Sequence, residues 1–420
     1  MNILVLTYGT RGDVQPFVAL SRGLQQGGHA VTLASAKRFQ ALVQAHGVAF
    51  EPLGDELLNI IDTQQGRRAM EGALGFWGIL KANLKLLRRV KPLQVALVED
   101  CWTVAGKVRP DLILFHPKAF AAYALSDRLK VPLIMALLAP MIVPSRETPH
   151  LGFPKLKLGR WYNRLTHGSV QLLMRLPAGR ILNTWRRQHG LEPKPLELFR
   201  DGTGASIPVV AGYSGSVVDT PGDWPANSAV TGYWFLESET SETLPEEVEM
   251  FLRDGNPPVC FGFGSMVGSD PSRLRDVVLN ALKRTGQRGL IISGWGGLSI
   301  GPTPEGVLEV PSAPHDLLFP RVAAVVHHGG AGTTAAALRA GKPQVVVPFM
   351  GDQPFWSKRM QALEVAPAPL FQKDLTASNL ADAINRVVSE TAFRSKAQTL
   401  GETIRSEKGV HHAVAFIESV

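Results

Sequence analysis

The sequence predicts an α/β chain built as two units, each a parallel sheet covered by helices on both faces. Three observations predict it. Short apolar runs of strand length alternate with helix-length segments in both halves of the chain, the pattern of parallel sheets. A stretch rich in Pro, Gly, Ser and Thr, Ser214 to Leu244, interrupts that alternation and reads as a connection. The length, 420 residues, exceeds one ordinary domain and fits two.

The elements follow in order. Asn2 to Thr7 is a continuous apolar strand, then come the loop Tyr8-Gly9-Thr10-Arg11-Gly12-Asp13 and a helix from about Val14 to Gly27. A strand (His29 to Ala34), a helix (Lys37 to His46) and a short strand (Val48 to Pro52) complete a βαβαβ start. Asp55 to Val108 is mostly helical in pattern. Leu112–Phe115 and Leu133–Leu138 are buried strands with a helix between them. Met141 to about Gly204 is rich in proline and basic residues, which predicts loops and amphipathic helices able to wall a pocket. Ile207 to Ala211 reads as the last strand of the first unit. The second unit opens with the strand Val259–Phe263, the turn Gly264-Ser265-Met266 and a helix near Pro271. The strand Leu290–Ser293 runs into Gly294-Trp295-Gly296-Gly297. Helices are expected at Thr376–Ser389, Ala392–Ser406 and His411–Val420.

Hydrophobic residues make up 45% of the chain and charged ones 19%, enough for two buried cores. The two cysteines, Cys101 and Cys260, have neither metal-ligand nor redox spacing and read as core thiols of a reducing compartment. The start MNILVLTYG has no basic leader and no apolar run reaches membrane-span length; a cytoplasmic protein, able to lie peripheral to a membrane, is expected. The net charge of +8 is uneven: Thr148 to Leu191 holds eight Lys and Arg and no acid, and Gly72 to Val98 holds five and no acid. In the second of these, Phe76, Ile79, Leu80, Asn83, Leu84 and Leu87 share a helical face opposite Lys81, Lys85, Arg88 and Arg89. Such a helix suits an anionic membrane surface or packs as an ordinary surface helix. Nucleic acid is not an expected partner, because the basic residues lack interleaved stacking aromatics and no binding module is present.

The stretch Pro311 to Trp356 carries the chemistry. A strand, Val322 to Val326, stops at His327-His328; Gly329-Gly330-Ala331-Gly332, Thr333-Thr334 and an alanine-rich helix follow. That order gathers backbone N–H groups and the positive end of a helix dipole at one point, which suits a phosphate, although any tight strand-to-helix turn has the same outline. His328 and the threonine hydroxyls can add donors. After Gly341-Lys342-Pro343 and a second strand, Gln344 to Pro348, come Asp352 and Gln353, just past a strand's carboxyl end, where open sheets place ligand contacts; they also suit a helix cap ahead of Pro354.

The order HHGGAGTT…AGKP…VPF…DQ resembles the donor-binding signature of the UDP-glycosyltransferase superfamily, nearest to its sterol glucosyltransferase branch and that branch's bacterial relatives. The resemblance implies the GT-B architecture: two Rossmann-like domains with parallel sheets facing across a cleft. It places an acceptor-binding domain at 1–215, a linker at 216–244, a nucleotide-sugar domain at 245–395 and C-terminal helices crossing back at 396–420. Where many members carry a catalytic histidine before Pro16, this chain has Asp13, as the sterol and glycopeptide-antibiotic branches do; Asp13 is also well placed to cap a helix beginning at Val14. The implied reaction is a single inverting, metal-independent displacement in which Asp13 takes the acceptor's proton, with partial burial raising its pKa. His116, past the Leu112–Phe115 strand, is a second candidate for relay or acceptor contact, or a structural residue. The implied nucleotide-sugar contacts are Thr10, Arg11, Gly12, Gly264, Ser265, Trp295, Ser312, Ala313, His315, His328, Gly330, Gly332, Thr333, Thr334, Asp352 and Gln353; Arg11 touches the diphosphate or pairs with an acid. Phe76, Trp77 and Met141 are candidate acceptor contacts. Two departures bear on base and ribose recognition: Ser312 stands where plant members have tryptophan, and Ala336 where they have glutamate. No cofactor is implied, since the UDP-sugar is a co-substrate. The expected function is transfer of a hexose, glucose from UDP-glucose, to a hydroxyl of an apolar acceptor such as a sterol. The alternatives are a natural-product glycosyltransferase using a UDP- or dTDP-sugar, a nucleotide-sugar epimerase and a non-catalytic sugar-nucleotide binder.

Overall fold

The computed structural model describes residues 1–62, 76–238, 242–264, 270–294 and 303–420, with side chains 61–89 also left out of the description. The chain forms two compact units, Met1–Leu236 with Lys408–Val420, and Glu237–Glu407.

In the first unit, β1 (Asn2–Leu6), α1 (Arg11–Gln26), β2 (Ala30–Ala36), α2 (Gln40–Ala45), β3 (Ala49–Leu53), α3 (Glu56–Asp62) and α4 (Phe76–Val108) come first. Then follow β4 (Leu112–Phe115), α5 (Ala121–Leu129), β5 (Leu133–Leu137), α6 (Gly159–Gln188), β6 (Val209–Ala211) and β7 (Ser228–Val230). The sheet order is β3-β2-β1-β4-β5-β6-β7, every pair parallel. β1, β4 and β5 read as unbroken apolar runs because both of their faces are covered. The order reverses between β1 and β4, so the loops after these two strands meet at the sheet's carboxyl edge, the switch point where such sheets bind ligands.

Two expectations are corrected here. Residues 228–230, expected within the connecting segment, form β7, so β6 is not the last strand of this sheet. The helix after β1 begins at Arg11 rather than Val14, which makes Asp13 its third residue and Thr10 its N-cap.

The second unit contains α7 (Glu246–Arg253), β8 (Val259–Gly262), α8 (Pro271–Thr285), β9 (Gly289–Ile292), β10 (Val307–Val310), α9 (His315–Leu318) and β11 (Ala324–His327). α10 (Ala331–Arg339), β12 (Gln344–Val346), α11 (Gln353–Ala362), α12 (Ala377–Ser389) and α13 (Thr391–Ser406) complete it. Its parallel sheet has the order β10-β9-β8-β11-β12, and its switch point lies between β8 and β11. Alternate residues face opposite cores: Val259, Phe261, Ala324 and Val326 join α8 and α12, while Cys260 and Val325 join α7 and α10.

The last helix, α14 (Gly409–Ser419), belongs to the first unit and packs on α1. A Cβ on Gly23 would stand 2.3 Å from a methyl of Val410, so the helices approach over a glycine. His29 and Glu418 close the pair at 3.0 Å. α13 packs on α10 and α12 instead, within the second unit. Among the described residues, no helix is long and apolar enough to cross a membrane.

Candidate functional site

At the first unit's switch point, β1 ends in Thr7 and Tyr8, and Gly9 turns the chain with φ 150°. The turn brings the start of α1 back so closely that a Cβ on Gly9 would lie 2.2 Å from Asp13 Oδ2. Thr7 Oγ1 donates to the Asp13 carbonyl at 2.6 Å. The Asp13 carboxylate accepts the Thr10 N–H at 2.8 Å and the Thr10 hydroxyl at 3.1 Å, both on Oδ2, one half of a capping box. Oδ1 takes a third donor, Lys118 Nζ, at 2.6 Å. Asp13 is thus both a helix-capping residue and a carboxylate fixed at the sheet edge, its side chain 13% exposed.

The sequence reading missed Lys118, which lies in the loop after β4. His116 opens that loop, buried edge-on against Phe17, and its Nδ1 accepts the Lys118 N–H at 3.2 Å. The neutral ring therefore carries its proton on Nε2. Burial pushes His116 down to about 4, with the Asp13 charge opposing and Lys118 reinforcing, so the ring is uncharged at neutral pH. Asp13 departs from expectation. Burial alone would raise its pKa, but Lys118, His116 and the hydrogen bonds from Lys118 and Thr10 together hold it below the ordinary carboxylate value. Arg11, exposed, donates to the Gln15 amide oxygen at 3.1 Å rather than to an acid. Gly12 is exposed on the first turn of α1.

A cavity of about 560 Å³ lies at the carboxyl ends of β1, β2 and β3, with Tyr8 but not Asp13 in its wall. Tyr8, Leu53, Leu57, Leu93, Ala96 and Leu97 contribute to its wall. The Tyr8 hydroxyl donates to the Gly54 carbonyl at 2.7 Å, and Asp100 accepts the Gly54 N–H at 3.0 Å. Met141, exposed, follows β5 at the same edge of the sheet. Phe76 and Trp77 begin α4, but their side chains fall outside the described residues, as does the basic face expected from Lys81 to Arg89.

At the second unit's switch point, the two adjacent histidines separate in role. His327 ends β11 fully buried; its Nε2 meets Gln344 Oε1 at 2.7 Å and its Nδ1 accepts the Gly329 N–H at 3.0 Å. It is a satisfied core residue, pushed down to about 3 by burial. His328 points toward the loop after β8, where a Cβ on Gly264 would touch its ring at 3.4 Å. Burial pushes His328 down to about 4, against an opposing pull from the Gly262 backbone. Its Nδ1 has no hydrogen-bond partner among the described residues. Gly330 packs under the ring: a Cβ there would stand 2.4 Å from Nε2.

Gly330 is the N-cap of α10 and brings no capping side chain, and the helix's first turn holds no acid. The first intrahelical bond runs from Thr334 N–H to Gly330 O. The N–H groups of Ala331, Gly332 and Thr333 therefore point off the end of the helix, with the positive dipole end behind them. Gly332 is exposed and Thr333 half-buried, whereas Thr334 is fully enclosed, its hydroxyl without a partner among the described residues.

Asp352 and Gln353 are partly committed to their own turn. Asp352 is the N-cap of α11, and its Oδ2 accepts the Trp356 indole N–H at 2.8 Å. Gln353 Oε1 accepts the N–H groups of Phe349 (2.7 Å) and Met350 (3.1 Å), leaving its amide nitrogen as the donor it can offer. His315 stacks on Phe319 with ring centroids 4.3 Å apart, Ala313 packs on the adjoining core, and Ser312 is exposed. Ser265 and Trp295 lie outside the described residues.

Comparison with known proteins identifies the family and the fold. The glycosyltransferase family 28 N-terminal domain matches residues 3–143, and the erythromycin biosynthesis protein CIII-like C-terminal domain matches residues 296–415. Sterol 3-beta-glucosyltransferase UGT80B1 of Arabidopsis thaliana is 36% identical across 99% of this chain and 67% of its own length. UGT80A2 of the same plant is 35% identical, and the Penicillium rubens sterol 3-beta-glucosyltransferase 33%; this chain spans 64% and 30% of their lengths. Among solved structures, the calicheamicin glycosyltransferase CalG4 superposes with a TM-score of 0.70 at 17% identity, covering 100% of this chain and 98% of its own. The glycosyltransferase VinC in complex with DTDP gives 0.67 at 20%, covering 100% of both. The fold is GT-B, and the chain belongs to the family of the sterol 3-beta-glucosyltransferases.

Proposed function

We propose that this chain transfers glucose from UDP-glucose to the hydroxyl of a sterol or similar apolar lipid drawn from an anionic membrane surface, in one inverting step without a metal ion. The observation that carries the reading is the start of α10. A neutral imidazole and three N–H groups stand at a helix N-terminus with no acid in its first turn, which suits a dianionic leaving group. The relatives' names supply sterol and glucose.

In the proposed step the acceptor oxygen bonds to the anomeric carbon, whose bond to the diphosphate oxygen breaks, so the nucleotide leaves with the electron pair. The acceptor's proton passes to Asp13 as the new bond forms. Asp13 is a weak base, made weaker by Lys118, so it acts as the bond forms and not before. Lys118, 53% exposed, can yield its place on Oδ1 to the hydroxyl. The cavity bordered by Tyr8 and Leu97 is our assignment for the acceptor's apolar body: its volume falls in the range of small-molecule sites.

The test is product formation by the purified protein from UDP-glucose with a panel of sterols, followed by mass. A sterol hexoside is expected, and EDTA leaves the rate unchanged. No glycoside from any sterol, with UDP-glucose converted in the absence of acceptor, would replace transfer with epimerisation. A rate higher with a dTDP-sugar than with UDP-glucose would move the chain to the natural-product reading.

A further inference from the structure

α6 is a helix of 30 residues with an inner face that the protein covers and an outer apolar stripe that it leaves exposed. The inner face is buried through Asn163, Thr166, His167, Ile181, Leu182 and Trp185. Polar contacts pin it to the loop after β5: Asn163 Nδ2 donates to the Arg146 carbonyl at 3.0 Å, Gln171 Nε2 to that of Ile142 at 3.1 Å, and His167 Nε2 meets that of Thr148 at 3.1 Å.

The outer face is unlike an ordinary solvent face. Leu158, Trp161, Leu165, Leu172 and Leu176 fall within about 60° of one another around the axis, at ~100° per residue, opposite the buried side. Trp161 is 64% exposed and Leu165 59%; Leu173, on the stripe's flank, is 72% exposed. From Trp161 to Leu176 the stripe is about 22 Å long. Arg164 and Arg175 border one side of it and Arg180 and Arg187 the other, all exposed. Thr148 to Leu191 holds no acid at all.

We infer that the outer face of α6 is a docking surface for an anionic lipid bilayer, with the Trp161–Leu176 stripe seated at the acyl boundary and the flanking arginines on the headgroup phosphates. The charge selects this occupant. A bilayer interface is apolar in the middle and anionic around it, matching the stripe and its border, and tryptophan favours that depth. A second copy of the chain seated across a two-fold axis would set arginines against arginines. The inference deepens the proposed function, which gives the surface its purpose, but the exposure and the charge stand without it.

The test is co-sedimentation of the whole protein with vesicles of phosphatidylcholine containing phosphatidylserine, against phosphatidylcholine alone. Wild type is expected on the anionic vesicles, with binding that weakens as salt rises. Arg164→Gln with Arg175→Gln and Arg180→Gln should lower that affinity about a hundredfold, at about fivefold per cation, and make it less sensitive to salt. Trp161→Gln with Leu165→Gln and Leu172→Gln should lower it at least about tenfold. Both variants should keep the wild-type circular dichroism and the wild-type rate on sterol delivered in cyclodextrin. Wild type that stays in the supernatant, or variants that sediment like wild type, would overturn the inference. So would an apolar triple variant that turns a dimer into a monomer while still binding vesicles. Vesicle binding without any transfer to the solubilised sterol would instead remove the proposed activity and leave the surface in place.

Discussion

The turns that follow β1 and β11 are built alike, each leaving the central region of a parallel sheet at its switch point and entering a helix within a few residues. They end with opposite electrostatics. After β1, the start of α1 is already occupied by the chain's own anion: Asp13 takes the Thr10 N–H and hydroxyl, and Lys118 completes its shell. After β11, the start of α10 has a glycine N-cap, no first-turn acid and a neutral histidine alongside. One turn carries a fixed negative charge of its own; the other presents donors with no acid beside them, and the proposed function gives the first a proton to receive and the second a diphosphate to hold. A helix N-terminus brings its own anion or leaves its donors open according to whether its third residue is aspartate or threonine.

The largest effect expected from breaking this contrast is at Asp13. Asp13→Asn keeps the volume and an oxygen for the Thr10 donors but removes the basic lone pair. Turnover should fall about 10²–10⁴-fold, while UDP affinity by calorimetry stays at the wild-type value. Equal losses in both would move Asp13 from chemistry to folding. Gly330→Ala acts on the other turn. The new Cβ would stand 2.4 Å from His328 Nε2, so the ring must turn out of place, and a displacement of that order costs about a hundredfold. The loss should appear in UDP affinity as well as in kcat/KM; unchanged affinity would dissociate His328 from the diphosphate. Gly9→Ala pushes directly on Asp13 Oδ2 and should cost about tenfold in kcat with UDP affinity intact, provided the carboxylate relaxes by rotation.

How much of this contrast the sequence carries depends on what each feature requires. Strand after strand, the buried apolar runs were legible, because a parallel strand covered on both faces has little freedom in composition. β10 was not, since Glu309 breaks its short run, and β7 was hidden among residues that read as a loop. The α10 turn was legible because glycine and histidine at those spacings follow from the backbone itself. Lys118 was not: it reaches Asp13 only because β4 pairs with β1, a long-range choice that no local pattern encodes. The direction of the Asp13 pKa failed for the same reason, as burial was foreseeable and the cation was not. The different fates of His327 and His328 rest on a one-residue alternation at the end of β11, below the resolution of any motif. α6 was read only as part of a segment of loops and amphipathic helices because of that segment's proline and basic content, and one of those prolines, Pro177, sits inside the helix.

The smallest expected effect tests the missed residue. Lys118→Met removes a cation from Asp13 Oδ1 while keeping most of the side chain's length, and Lys118→Arg keeps the charge. Because Lys118 depresses the Asp13 pKa, its loss must let that pKa rise. The base is active when ionised, so kcat/KM is lost as pH falls through the Asp13 pKa, and the methionine variant should lose activity at a higher pH than wild type. At a pH well above both acid limbs the rates should differ by no more than a few-fold; the arginine variant should restore the wild-type acid limb. His116 and His328, each held near 4 by burial, stay neutral above about pH 6, so neither adds a limb in that range. An acid limb that does not move in Lys118→Met would mean that the group titrating in the profile is not Asp13, and the carboxylate after β1 would then be only the cap of its helix.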